Sequence, residues 1–210
     1  MARTIRSDEL NYLYVDKIVE HYIAIFVERW NKLRKKKRDD TAAFIRYMDE
    51  FYEDLYLLCL DAYLDIAKHY YNADKQKITQ RWVKNNVLKM YDPVTLYVFD
   101  NEFERKKGRH IESVLSSETP EKEHDKSLKY FTGMFSQFAD ETADKAHLET
   151  LKDEGETNVV WVSVTDDRRC KTCKERHGKI YPITKVPSKP HVGCRCHVEK
   201  VNGQRTDKDT

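Results

Sequence analysis

Apolar residues recur at helical spacing through the first three quarters of this chain. Between residues 8 and 34, Val15, Ile18, Tyr22, Ile25, Phe26 and Leu33 share one broad face, the i, i+3, i+4, i+7 signature of an amphipathic helix. Ser7 stands where an N-cap belongs, and Asp8 and Glu9 suit the positive end of a helix dipole. The periodicity is clearest over residues 41–72, where Phe44, Tyr47, Met48, Phe51, Leu55, Leu58, Cys59, Ala62 and Ile66 line one face. Cys59 lies inside that stripe and reads as a core thiol. A third helical segment is predicted over residues 75–90. Asp92-Pro93 then breaks the pattern, because the residue before proline avoids the helical region. A fourth segment runs from Thr95 to Leu115, interrupted near Gly108, and Ser116–Pro120 has the composition of a linker. The fifth helix is expected from Glu121 to Asp153, with Leu128, Phe131, Phe135, Phe138, Thr142 and Ala146 on one side and Gly155 as its stop.

Beyond Gly155 the period changes. Four of the six glycines and three of the five prolines lie from there onward. Asn158–Thr165 is rich in β-branched and aromatic residues and reads as a strand, with shorter strand candidates at Ile180-Tyr181 and Cys196–Val201. From Gly203 the chain is polar, and a disordered tail is expected. The predicted fold class is mainly α: long amphipathic helices (residues 1–155), a small zinc-stapled β-rich C-terminal module (156–202) and a tail (203–210).

Composition narrows the class. Charged residues make up 35% and hydrophobic ones 40%, with 13 tyrosines, a core-forming rather than disordered balance. Trp30, Trp82 and the tyrosines suit either core or protein-contact surfaces. No run of apolar residues is long enough for a membrane-spanning helix, and the first residues lack the apolar core of a secretory signal. The expectation is a protein folded in a reducing cytoplasm, where clustered cysteines hold a metal rather than form disulfides. The net charge of +2 hides an asymmetry. Residues 161–210 carry 12 basic against 6 acidic side chains, whereas residues 1–160 carry 26 against 30. The basic end suggests an anionic partner such as DNA, through Arg168, Arg169, Lys171, Lys174 or Arg176. Arg34–Arg38 is a second basic run, read chiefly as the solvated C-terminus of a helix.

The chemistry concentrates in the last fifth of the chain. Cys170-Lys171-Thr172-Cys173 is followed, twenty residues on, by Cys194-Arg195-Cys196, with His177, His191 and His197 nearby. A Cys-x2-Cys turn brings two sulfurs onto one metal, and backbone amides in such a turn stabilise their charge. In extended chain Cys194 and Cys196 face the same side, and His191 stands two residues before Cys194, as in a second knuckle. Five candidate ligands thus compete for four tetrahedral positions: Cys170, Cys173, Cys194 and either Cys196 or His191. His197 should point away, and His177 belongs at the surface or behind the ligands. A β-rich module this small has little core and needs such a staple. The zinc is read as structural. The deaminase pairing of His-x-Glu before Pro-Cys-x-x-Cys is missing, as are His-Glu-x-x-His and a phosphate-binding glycine loop. Asp166-Asp167 is read as the turn leading into the first knuckle. No catalytic residue is expected.

The set Gly155, Val160, Trp161, Asp166, Arg168, Cys170, Cys173, Gly178, Pro187, Pro190, His191 and Cys194-Arg195-Cys196 resembles the C-terminal region of phage Mu F-like minor head proteins, also called head morphogenesis proteins. In that family a Trp-bearing strand leads to Asp-x-Arg-x-Cys-x-x-Cys, a glycine, and later His-Pro-x-Cys-Arg-Cys. Here Val192 replaces the proline after the histidine. The resemblance covers roughly residues 140–201 and implies a structural, non-enzymatic virion component. The implied partners are the portal protein, capsid or scaffold proteins, and double-stranded DNA through the basic C-terminal module, with no membrane. The implied location is the capsid interior near the portal, reached from the host cytoplasm during assembly.

Overall fold

The computed structural model describes residues 12–163 and 169–201. Ser7, Asp8, Glu9, Val164, Thr165, Asp166, Asp167, Arg168 and the tail from Gly203 lie outside these residues.

Helix α1 spans Leu13–Leu33 and α2 spans Thr41–Tyr70. Between them, Asp40 starts α2 by accepting the Ala43 N–H at 2.9 Å. The expected single helix over 75–90 is broken into pieces. A 3-10 turn at Lys75–Lys77 precedes the short α3, Gln80–Val83, which continues as one π turn over Lys84–Leu88. Two local caps cause the break. Asp74 accepts from Gln76 N and Thr79 from Trp82 N, and each restarts the chain.

The predicted start at Thr95 is also corrected. Strands β1 (Tyr91–Asp92) and β2 (Tyr97–Val98) form a small hairpin there. The Asp92 carboxylate organises its loop, accepting Val94 N–H at 2.9 Å and the Thr95 hydroxyl at 2.7 Å. Helix α4 then runs from Phe99 to Ser116 with no interruption at Gly108. Helix α5, Pro120–Asp153, has 34 residues and begins with proline at its first turn, where the missing N–H costs nothing. Gly155 ends it as expected. Its φ is +83°, its N–H reaches Lys152 O, and Glu156 N–H reaches Leu151 O, the paired bonds of a Schellman stop.

Helix α5 packs against α1, α2 and α4. The core between them is aromatic. Phe26 meets Phe135 edge-on at 4.9 Å, Trp30 meets Phe51 at 4.8 Å, and Phe99 meets Phe138 at 5.0 Å. Trp30 and Cys59 are fully buried there, so Trp30 is core rather than contact surface.

The C-terminal module is a three-stranded antiparallel sheet ordered β4-β3-β5, with β3 at Asn158–Val162, β4 at Ile180–Pro182 and β5 at His197–Lys200. A six-residue helix, α6 (Lys171–Arg176), precedes β4. Strand alternation turns Val159 and Trp161 inward. They join Cys173, Ile183, Cys194, Cys196 and Val198 in a second buried cluster, floored by Leu148 and Leu151 of α5. Helix α5 therefore serves both cores. Phe131, Phe135, Phe138, Thr142 and Ala146 face the bundle, while Gln137, Asp140, Asp144, His147, Leu148 and Leu151 turn toward the module.

Candidate metal centre

Three short pieces of local structure bring the cysteines together. Cys170 sits at the N-cap of α6, and its sulfur accepts the Cys173 N–H at 3.4 Å. That is the amide-to-sulfur bond the Cys-x2-Cys spacing predicts. His191–Cys194 forms a turn closed by Cys194 N–H to His191 O at 3.3 Å, with Gly193 at φ +72°. A side chain is strained there and glycine is not. Past Gly193 burial alternates: Cys194 and Cys196 are buried and Arg195 between them is exposed.

The sulfurs of Cys173 and Cys194 are 3.5 Å apart. The ligand atoms of Cys173, Cys194 and Cys196 lie within 4.8 Å of one another, as do those of Cys170, Cys173 and His191. Cys173 belongs to both groups, so all five predicted residues gather around it in an arrangement compatible with a metal site. Two sulfurs each 2.3 Å from one tetrahedral ion would be about 3.8 Å apart, close to the 3.5 Å between Cys173 and Cys194, while Cys170 groups with Cys173 and His191 rather than with Cys194 and Cys196. Cys173, Cys194 and Cys196 are buried, Cys170 is half-buried and His191 is exposed.

The thiols titrate in different directions. The Cys173 amide pointing at Cys170 holds that thiol below its usual value, whereas burial pushes Cys173 up to about 12. The hydrogen bond with Cys196, added to burial, raises Cys194 well above the ordinary thiol range. Uncharged, these sulfurs pack as small hydrophobes. A divalent cation among them would reverse that balance and hold them as thiolates.

The flanking histidines divide as the sequence suggests. His177 is exposed, and its Nδ1 accepts Ser163 N–H at 3.1 Å. His197 has Nε2 at 2.9 Å from Glu199 and its ring centroid 6.4 Å from that of Tyr12. Neither falls in a ligand group among the described residues.

The basic module is less free than its composition suggests. Arg176 donates to Ser188 O at 2.6 Å and covers the Trp161 ring, and Arg169 bonds Ser163 Oγ at 3.1 Å. Of the five side chains expected to face DNA, Lys171 and Lys174 remain exposed and Arg168 is not described.

Sequence reasoning missed what holds the site against the bundle. Arg195, placed between two cysteines, forms a two-pronged pair with Asp16 at 3.0 and 2.5 Å and lies 3.8 Å from Asp140. Lys189 pairs with Asp144 and donates to the Tyr12 hydroxyl at 3.2 Å, while Tyr12 donates to Asp144. Gly193 N–H bonds Gln137 Oε1 at 3.0 Å, and His147 donates to Val198 O at 3.0 Å. Burial lifts the Asp140 carboxyl to about 6 despite these cations. Burial also works against the Lys189 ammonium, but Asp144 and Asp140 outweigh it and hold it above the ordinary lysine value. The available signal was the row Gln137, Asp140, Asp144 at i, i+3, i+7 on α5, a polar stripe beside the apolar one.

Compared with known proteins, the chain matches no family model, no curated protein and no solved structure.

Proposed function

We propose that this chain is a structural, non-enzymatic minor head protein of a tailed phage or prophage, bound at the portal inside the capsid. The observation that carries the reading is the gathering of Cys170, Cys173, Cys194, Cys196 and His191 behind a Trp-bearing strand, in the order and spacing of the Mu F-like motif. Supporting it, the motif glycines Gly155 and Gly178 both occupy positive φ, at +83° and +78°, so they answer backbone requirements.

The metal assigned is zinc, held by Cys170, Cys173, Cys194 and Cys196. Thiolate-rich tetrahedral sites select zinc among common divalent ions. His191 stands beside Cys170 at the rim, with Nδ1 directed at Val192 O at 3.0 Å, and completes the outer hydrogen bonding rather than the inner shell. Four protein ligands leave no open position for a reacting water, which suits a scaffold.

The test is co-expression with the portal protein encoded in the same genome. A complex stable through size exclusion is expected, and separate elution would refute the portal assignment. Nuclease activity requiring Mg²⁺ would refute the non-enzymatic one. A second reading, a zinc module that binds nucleic acid by itself, draws on the exposed Lys171 and Lys174 of α6. It predicts that reversing those two charges abolishes DNA binding.

A further inference from the structure

The strongest unassigned feature lies on α4 and α5. A cleft of about 140 Å³ opens between these helices, with Lys106 and Arg109 on the α4 wall and Lys126 on the α5 wall. Its floor carries hydroxyls: Tyr52 OH bonds His110 Nδ1 at 2.8 Å and Ser127 Oγ at 3.1 Å. A second, wider cleft adjoins it, sharing Lys126 and Tyr130 and adding Lys129.

Together the two clefts present four cations against one carboxylate, Glu123, and Glu123 is already bonded to Lys126 at 2.7 Å. Glu102 is buried, and its charge is shared among Arg105, the Tyr130 hydroxyl and Lys106, which lies 4.0 Å away. The Arg109 and Lys129 side chains are exposed and make no ion pair or hydrogen bond among the described residues. This excess stands out because residues 1–160 carry more acids than bases, 30 against 26. Lys106 and Lys126 each stand beside a carboxylate and Arg109 and Lys129 do not, so the row keeps a net positive charge on an otherwise acidic body and focuses a positive potential. The cations are strung along two helices rather than converging on one point, as a chain of phosphates requires.

We propose that this α4/α5 face binds the phosphodiester backbone of nucleic acid, without sequence preference. Phosphates lie across the two clefts, met by Arg109 and Lys106 from one helix and by Lys126 and Lys129 from the other. The contacts are to phosphates, which fix register without carrying sequence information. The inference stands apart from the head-protein reading: DNA binding through this face would survive a failure to bind the portal, and the reverse.

The experiment uses the full chain and a fluorescently labelled DNA duplex, followed by anisotropy from about 50 to 200 mM salt. Arg109→Glu with Lys129→Glu removes two cations that have no internal partner, so the fold is kept and its melting temperature should not move. The expected result is a loss of affinity of about tenfold or more, with the slope of log affinity against log salt shallower by about 2. Lys171→Glu with Lys174→Glu in the module should change affinity less than twofold. The proposal is overturned if wild-type protein fails to bind the duplex at the lowest salt, or if the module pair causes the loss. It is equally overturned if inorganic phosphate at constant ionic strength displaces the duplex, which marks a single-anion site, or if anionic lipid vesicles bind more tightly than DNA.

Discussion

Lys189→Met tests the ionic contact between the module and α5. Methionine keeps most of the buried stem and removes the ammonium. In the native protein that ammonium is 9% exposed and Asp144 18% exposed, so both charges are largely out of water. Removing one partner of such a pair strands the other, at a cost of about 3–5 kcal/mol. Tyr12 still donates to Asp144 and keeps part of the compensation, which places the expected loss at the lower end, about 3 kcal/mol. For a chain of this size that lowers the melting temperature by roughly 6–12 °C.

The pH dependence gives the sharper check. Asp140 in the fold titrates near 6, above the usual aspartate value of about 4. A carboxyl with a raised folded pKa binds its proton more tightly when folded. Its contribution to stability is therefore greatest at low pH and falls as pH rises through that window. Losing Lys189, one of the cations that pull Asp140 down, moves it further up. Glu141, raised by burial and also eased by Lys189, follows. The variant's deficit should accordingly shrink by about 1 kcal/mol or more between pH 7.5 and pH 5.5. Urea unfolding of both proteins at both pH values reads this directly. Burial lowers His110, His124 and His147, so acid destabilises each protein through them, but that term is common to the pair and cancels. A deficit below about 1 kcal/mol at pH 7.5, or one that grows on acidification, would refute the reasoning.

Three further outcomes are expected. Cys173→Ser, which removes the residue common to both ligand groups, should lose bound zinc by elemental analysis and amide protection over residues 156–201, while α2 and α4 stay protected. Gly193→Ala should cost about 1–2 kcal/mol from backbone strain at φ +72° alone, because nothing lies within 4 Å of the added Cβ; unfolding free energies measure it. Tyr52→Phe should cost about 1–3 kcal/mol, because it leaves His110 and Ser127 without their buried hydroxyl partner; a change within error would mean water replaces it.

The four long helices were legible because each carries an apolar stripe at one period, and Pro120 and Gly155 mark their ends in residue type. The segment from Lys75 to Val98 was not. Its apolar residues Ile78, Val83, Val87 and Leu88 are buried, which mimics helical periodicity. The competing signals are Asp74, Thr79 and Asp92 side chains that cap backbone groups locally, and periodicity does not weigh those. The cysteine cluster was legible for a different reason: knuckle spacing and strand alternation are short-range rules that survive any tertiary arrangement. The choice between Cys196 and His191 was not, since spacing allows both and each lies in a ligand group with Cys173.

The polar latch of Tyr12, Asp16, Asp140, Asp144, Lys189 and Arg195 was invisible for a reason that bears on how the protein works. Its members come from α1, α5 and the module, 179 residues apart at the extreme of Arg195 to Asp16, and charged residues on helices ordinarily read as solvated. Their ion pairs and hydrogen bonds tie the cysteine cluster to the bundle. Arg195 is aimed at Asp16 only while Cys194 and Cys196 on either side of it face inward together. A change that releases those sulfurs also turns Arg195 away, leaving the Asp16 and Asp140 carboxylates short of a cation. Metal loss should therefore propagate beyond the module, loosening the first turns of α1 around Asp16 even though no residue of α1 is a ligand. A chelated protein whose residues 12–20 keep full amide protection would show that the sulfur cluster and the bundle are only neighbours.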